Sequence, residues 1–175
     1  MPAPLRFAWP DRRAACAVHE SLSGPLHVID TPLPQKDLSA GLVVVHHDGS
    51  RLRLLCLRSF DSWDFPKTPV ADESGALQAA IEETRAATGL EDLEFPWGEE
   101  YRETVAFDDG RVSRYYLAES PVAEITLRLP ADADAEEDYG FAWATFDEAE
   151  DILPPRLAVV LDWALRRVAM PRNPS

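Results

Sequence analysis

Two turn signals, Asp48-Gly49-Ser50 and Asp108-Asp109-Gly110, bracket a single stretch built for helix, and this arrangement limits the fold more than any other feature. Gly41 to His47 (GLVVVHH) and Leu52 to Arg58 read as β-strands joined by the first turn. Glu100 to Phe107 and Val112 to Glu119 alternate around the second. Between the hairpins, Pro66 and Pro69 forbid helix across Ser59 to Ser74, which reads as a loop. Gly75 to Thr88 is rich in alanine and glutamate and ends at Gly89, which predicts a helix with a glycine C-cap. Farther on, Phe141 to Thr145 predicts a short strand and Asp147 starts a short helix. Arg156 to Val168 then sets Leu157, Val160, Leu161, Ala164, Leu165 and Val168 along one helical face. Strands, one helix, more strands and closing helices define a mixed α/β sandwich.

The 175 residues suit one domain. We expect an N-terminal extension over 1–37, a main domain over 38–170 and a tail over 171–175. The extension carries Pro2, Pro4, Pro10, Pro25, Pro32 and Pro34; Asp11 can cap a helix over Arg12 to Leu22, and Leu26 to Ile29 reads as a strand. It is expected to pack on the domain or on a partner subunit. Against 17 basic residues stand 31 acidic ones, a net charge of −14. Long-range repulsion from phosphate backbones and anionic lipid then argues against nucleic acid or membrane partners. A nucleotide remains compatible if basic residues cluster locally; surface solubility accounts for the acidic excess equally well. Cys16 and Cys56 are isolated and lack C-x-x-C spacing, and no secretory signal or membrane-spanning run is present, so a cytoplasmic setting with free thiols is expected.

Trp63-Asp64-Phe65-Pro66-Lys67 through Thr88-Gly89-Leu90 resembles the Nudix box, G-x5-E-x7-R-E-U-x-E-E-x-G-U with U a bulky apolar residue. Anchored on Gly89 and Leu90, the frame puts its first glycine at Thr68 and its first glutamate at Ser74. The Arg-Glu pair falls on Glu82 and Glu83, and the Glu-Glu pair on Ala86 and Ala87. Three further stretches are similar to the diadenosine-tetraphosphate hydrolase-like branch of that family. Ser39-Ala40-Gly41 resembles its opening strand, Trp63 to Lys67 its W-x-F-P-K-G motif, and Glu136-Glu137-Asp138 with Phe141, Trp143 and Phe146 to Ala149 its E-E-H-x-x-[YF]-x-W and following helix. The resemblance implies a Nudix-type α/β/α sandwich with a mixed β-sheet.

It also implies a chemistry that these residues no longer fully supply. Positions 83, 86 and 87 share one helical face, where three glutamates would hold Mg²⁺ against a pyrophosphate. Here that face carries Glu83 with two alanines. Glu82 stands where the family has arginine and points about 100° away around the helix. The resemblance therefore implies an inactive or attenuated Nudix-fold protein that binds a nucleotide-like small molecule or a protein partner. One alternative is an active Mg²⁺-dependent pyrophosphohydrolase of dinucleoside polyphosphates, with Glu83 as catalytic and metal-ligating residue helped by Glu73, Glu82 or Glu137. Another is a structural domain that self-associates, as a homodimer joined by the N-terminal segment. Candidate phosphate contacts are Lys67, Arg58 and Arg114, with Arg53, Arg102 and Arg111 behind them. Tyr116 shares a strand face with Arg114, and Tyr115, Tyr116, Phe141 or Trp63 can stack on a base. His46 and His47 are adjacent on a strand, so their side chains diverge and form no zinc site.

Overall fold

The central strand, β1 (Leu38–Asp48), owes its continuous apolar run to being covered on both faces. In the computed structural model the described residues are 37–107, 110–129 and 139–173. The expectations for residues 1–36, for Glu136, Glu137 and Asp138, and for the acidic loop Asp132 to Asp138 lie outside them. So does the turn pair Asp108-Asp109.

β1 pairs antiparallel with β2 (Arg51–Ser59) across the Gly49 turn and parallel with β6 (Val112–Glu119), from Leu38↔Val112 to Val45↔Glu119. Three short strands, β3 (Ser62–Asp64), β4 (Lys67–Val70) and β5 (Tyr101–Glu103), pair with β2, β1 and β6 respectively, and β7 (Tyr139–Ala144) pairs with β2. The resulting seven-stranded mixed sheet is sandwiched by helices. On one face Ala40, Leu42, Val44, Leu55, Tyr116 and Ala118 meet Ala76 and Ala80 of α1 (Ala76–Thr88). On the other, Val43, Val45, Leu54, Cys56, Tyr115 and Leu117 meet Ala149 of α2 (Phe146–Ile152) and Val160, Leu161, Trp163 and Ala164 of α3 (Ala158–Val168). The strict alternation along β1 and β6 follows from the two-residue period of a strand.

Helix α1 ends as the sequence predicts. Gly89 adopts φ +74 and its N–H bonds the Arg85 carbonyl at 2.9 Å. Its buried threonines return their hydroxyls to the helix, Thr84 to the Ala80 carbonyl and Thr88 to that of Thr84. Helix α2 begins with a complete capping box between Thr145 and Glu148.

Three expectations change. The proline-bearing segment expected to be loop contains β3 and β4; Pro69 fits because β4 has no second strand partner among the described residues, so the N–H that proline lacks is not needed there. The strand expected over Glu100 to Phe107 is regular only at Tyr101–Glu103. Beyond it the Thr104 hydroxyl accepts from Ser113 N–H, and pairing resumes as a single bridge at Phe107↔Arg111. On α3, Leu165 points outward (48% exposed), while Trp163 takes part in the core.

Candidate functional site

A forked sheet makes the site. β1 holds β4 over Leu38–Gly41 and β2 over Val45–Asp48, so these two strands leave the same edge of β1 and diverge. At the base of the fork, Leu42 N–H donates to the Pro66 carbonyl at 3.1 Å. This approach requires Gly41. A Cβ there would lie 2.4 Å from Pro66 O, 2.8 Å from Lys67 Cβ and 2.9 Å from a Tyr115 ring carbon. The fork opens into a cleft of about 470 Å³, bordered by Glu83 and Ala87 of α1, by Arg156 ahead of α3, and by Arg58, Asp64, Lys67, Arg128 and Tyr139. Residues 126–128 are tied to the end of α1, with Thr126 N–H on the Thr88 carbonyl and Arg128 N–H on that of Ala87, which sets Arg128 at the rim.

Asp64 organises this cleft. Its Oδ1 accepts from Phe65 N–H at 2.8 Å and from the Tyr115 hydroxyl at 2.7 Å. Its Oδ2 accepts from Lys67 Nζ at 2.6 Å and from Arg156 at 2.5 Å. Burial, then the Asp64 charge, pushes the Tyr115 hydroxyl well above its ordinary pKa, so it stays a protonated donor. The same two causes push the buried Cys56 thiol up to about 12, which leaves it inert at neutral pH.

Four cations, Arg58, Lys67, Arg128 and Arg156, line the described part of the cleft against two carboxylates, Asp64 and Glu83. In a chain of net charge −14 that is a local reversal of sign. Arg156 Nε is moreover a buried donor with no hydrogen-bond partner among the described residues. Gly140 pairs with Arg58 across β2 and β7; a Cβ on it would come within 3.8 Å of Arg58 Nε.

Of the candidates named from the sequence, Lys67, Arg58 and Glu83 meet at this cleft. Arg114 and Tyr116 do not line it. Their shared face is the one packed toward α1, whereas Tyr115 reaches Asp64 from the other. The Arg114 guanidinium is buried, bonded to Glu103 at 2.8 Å and to Glu73 at 2.9 Å, and stacked over the Tyr101 ring. Burial alone would lower its pKa, but these carboxylates outweigh it and hold the charge. Glu73 is thereby tied away from the cleft, and exposed Glu82 accepts from Gln78 at 2.9 Å. Arg53 serves Asp48 and the Trp143 carbonyl, and Arg102 and Arg111 are exposed elsewhere. His46 and His47 diverge, to the Ser120 carbonyl and to Glu119.

The described residues do not fit a Mg²⁺ site. No three His, Cys, Asp or Glu side chains among them gather to hold a metal. Asp64 is filled by its four donors, which leaves Glu83 alone, too few oxygens for an ion that demands near-octahedral coordination. Sequence reasoning missed Asp64, Arg156, Arg128 and Tyr139. Only Asp64 had a local signal, its place between Trp63 and Phe65.

No family model and no curated protein matches the sequence. Solved structures do match in three dimensions. A C. elegans Ap4A hydrolase in a binary complex aligns with TM-score 0.58 at 20% identity, covering 75% of this chain and 98% of that one. A Nudix hydrolase from M. smegmatis, RenU, aligns at 0.54 and 18% identity, covering 77% and 86%. The Nudix domain of Shewanella oneidensis NrtR, complexed with ADP ribose, aligns at 0.55 and 13% identity, covering 77% and 89%. At such identities the likeness establishes the fold. Among the described residues no helix is long and apolar enough to cross a membrane.

Proposed function

We propose that this Nudix-fold chain is a binding module for a nucleotide-like, phosphate-bearing ligand, held by protein cations in place of a metal and hydrolysed slowly or not at all. The observation that carries this reading is the sign reversal among the described residues of the cleft: four lining cations, one with a buried donor that has no partner among those residues, in an otherwise strongly acidic chain. Arginine and lysine there supply the charge neutralisation that a divalent ion gives elsewhere. The Asp64 clamp supports it too, because Lys67 and Arg156 are held in place before a ligand arrives, which reduces the entropy lost on binding. Replacement of the box carboxylates by Ser74, Ala86 and Ala87 removes oxygens that hydrolysis would need to activate water. The ADP ribose held by the NrtR domain is consistent with ligand binding on this fold.

The test pairs binding with turnover. Titration calorimetry with ADP ribose and diadenosine tetraphosphate, in Mg²⁺ and again in EDTA, is expected to show binding that survives chelation. Saturation at 100 times the dissociation constant then stabilises the protein by about 2.7 kcal/mol. Product analysis in Mg²⁺ or Mn²⁺ is expected to show no turnover dependent on Glu83. Turnover that Glu83→Gln abolishes, or binding lost in EDTA, overturns the reading.

A further inference from the structure

The apolar periodicity of α3 includes Leu165, yet the core takes only Val160, Leu161, Trp163 and Ala164 and leaves Leu165 48% exposed. The surplus leucine belongs to a second face. Ala158, Leu161, Asp162 and Leu165, spaced i, i+3, i+4 and i+7, border a groove of about 380 Å³. From α2 come Phe146, Asp147 and Glu150, and the connection between the helices adds Leu153 and Leu157. Both helices cover the sheet face opposite α1, and the groove shares no lining residue with the cation-lined cleft.

The rim of the groove has the reverse sign to that cleft. Asp147, Glu150 and Asp162 line it, and among the described residues no lysine or arginine does. Asp162 is paired with Arg166 at 2.8 Å. The exposed carboxylates of Asp147 and Glu150 have no hydrogen-bond or ion-pair partner among the described residues. Glu150 and Asp151 moreover occupy the last turn of α2, which contains no base. Acids there oppose the helix macrodipole, so α2 carries its negative end at a cost to its own stability. We propose that this groove docks an amphipathic basic helix of a partner protein, whose leucine-sized side chains enter between α2 and α3 while its lysines or arginines meet Asp147 and Glu150. Paired helices with anchors at i, i+3, i+4 and i+7 spacing suit a helix laid in a groove, and the eleven residues of α3 span about 16 Å, three turns of such a helix. A neutral or acidic helix would press apolar surface beside two uncompensated carboxylates. A second copy of this chain is disfavoured by the same charge: a two-fold contact would set acid against acid in a protein of net charge −14.

The proposal does not depend on phosphate binding at the cleft, and its test leaves the cleft untouched. The probes are two synthetic peptides about four turns long with the same leucine stripe, one carrying lysine at its polar positions and the other glutamate. Fluorescence anisotropy at physiological ionic strength gives their dissociation constants on the full chain. The lysine peptide is expected to bind at least about tenfold tighter than the glutamate peptide. Leu165→Ser should weaken it about three- to tenfold, from the apolar surface that docking covers, and Glu150→Gln about two- to fivefold. Both positions are exposed, so melting temperatures should match the parent. Glu91→Gln, an equal change of charge beyond the C-cap of α1, should leave the affinity unchanged. Equal weakening by Glu91→Gln, or indifference to Leu165→Ser, reduces the effect to general attraction by an acidic surface and overturns the docking site. So does failure of the lysine peptide to bind, or equal binding of the glutamate peptide. Sedimentation that shows a dimer dissociated by Leu165→Ser assigns the groove to a second copy and equally overturns the proposal.

Discussion

Replacing Asp64 by asparagine removes one charge from the centre of a four-donor array and leaves its shape nearly unchanged. The amide oxygen can still accept from Phe65 N–H and the Tyr115 hydroxyl, but the amide nitrogen then faces Lys67 and Arg156, donor against donor. Two charge-assisted bonds are lost. Each is worth about 1.5–3 kcal/mol in a dry site. Side-chain exposures of 18% for Asp64, 26% for Lys67 and 25% for Arg156 reduce this to about 1–1.5 kcal/mol apiece through solvent screening. The expected loss is about 2–3 kcal/mol, a fall of roughly 4–12 °C in melting temperature for a domain of this size. Asp64→Ala should lose about 1–2 kcal/mol more, because it also strands the buried Tyr115 hydroxyl. Urea denaturation of Asp64→Asn, Arg156→Met and the double variant gives the coupling directly, expected to exceed about 1 kcal/mol. If Asp64→Asn lies within about 0.5 kcal/mol of the parent, or the coupling is zero, Asp64 is not the organiser described above.

Gly41→Ala forces a methyl into the Pro66 carbonyl, the Lys67 stem and the Tyr115 ring at once. Overpacking of this kind is expected to destabilise by about 1–3 kcal/mol and to weaken phosphate binding, both read in one thermal-shift titration; an unchanged melting temperature would show that the fork relaxes freely. Cys56 predicts behaviour in alkali. Its pKa rises on folding from 9.0 to about 12, so the buried neutral thiol contributes stability that is complete below pH 9 and lost as pH climbs toward 12. The parent should therefore lose stability between pH 9 and 11 more steeply than Cys56→Ala, by at most about 1.4 kcal/mol per pH unit. Tyr115 adds a loss of the same sign at higher pH, present in both proteins. Parallel urea midpoints across that range would refute the assignment.

The sequence carried the fold because the fold is made of local signals repeated in order. GLVVV before Asp48-Gly49-Ser50 announces a strand, and the alanine-rich stretch stopped by Gly89 announces its helix; both stand as read. The cleft was less legible for a physical reason. Arg156 meets Asp64 across 92 positions of chain, and no periodicity or spacing encodes that contact. The two-residue period correctly put Arg114 and Tyr116 on a common face of β6, but which face borders the fork depends on how β4 docks against β1. Tyr139 escaped notice because it follows an acidic run and precedes Phe141 and Trp143, residues with stronger resemblance. β3 and β4 were hidden by Pro66 and Pro69, which exclude helix and leave edge strands open.

The fork has a mechanical consequence. Both prongs spring from one strand, and the bond from Leu42 to the Pro66 carbonyl pins them at the crotch. The prongs cannot splay without loosening the strand that runs through the middle of the sheet. Breathing of the cavity walls and breathing of the hydrophobic interior are then a single motion, and a guest wedged between the prongs would act as a rivet through the spine of the protein.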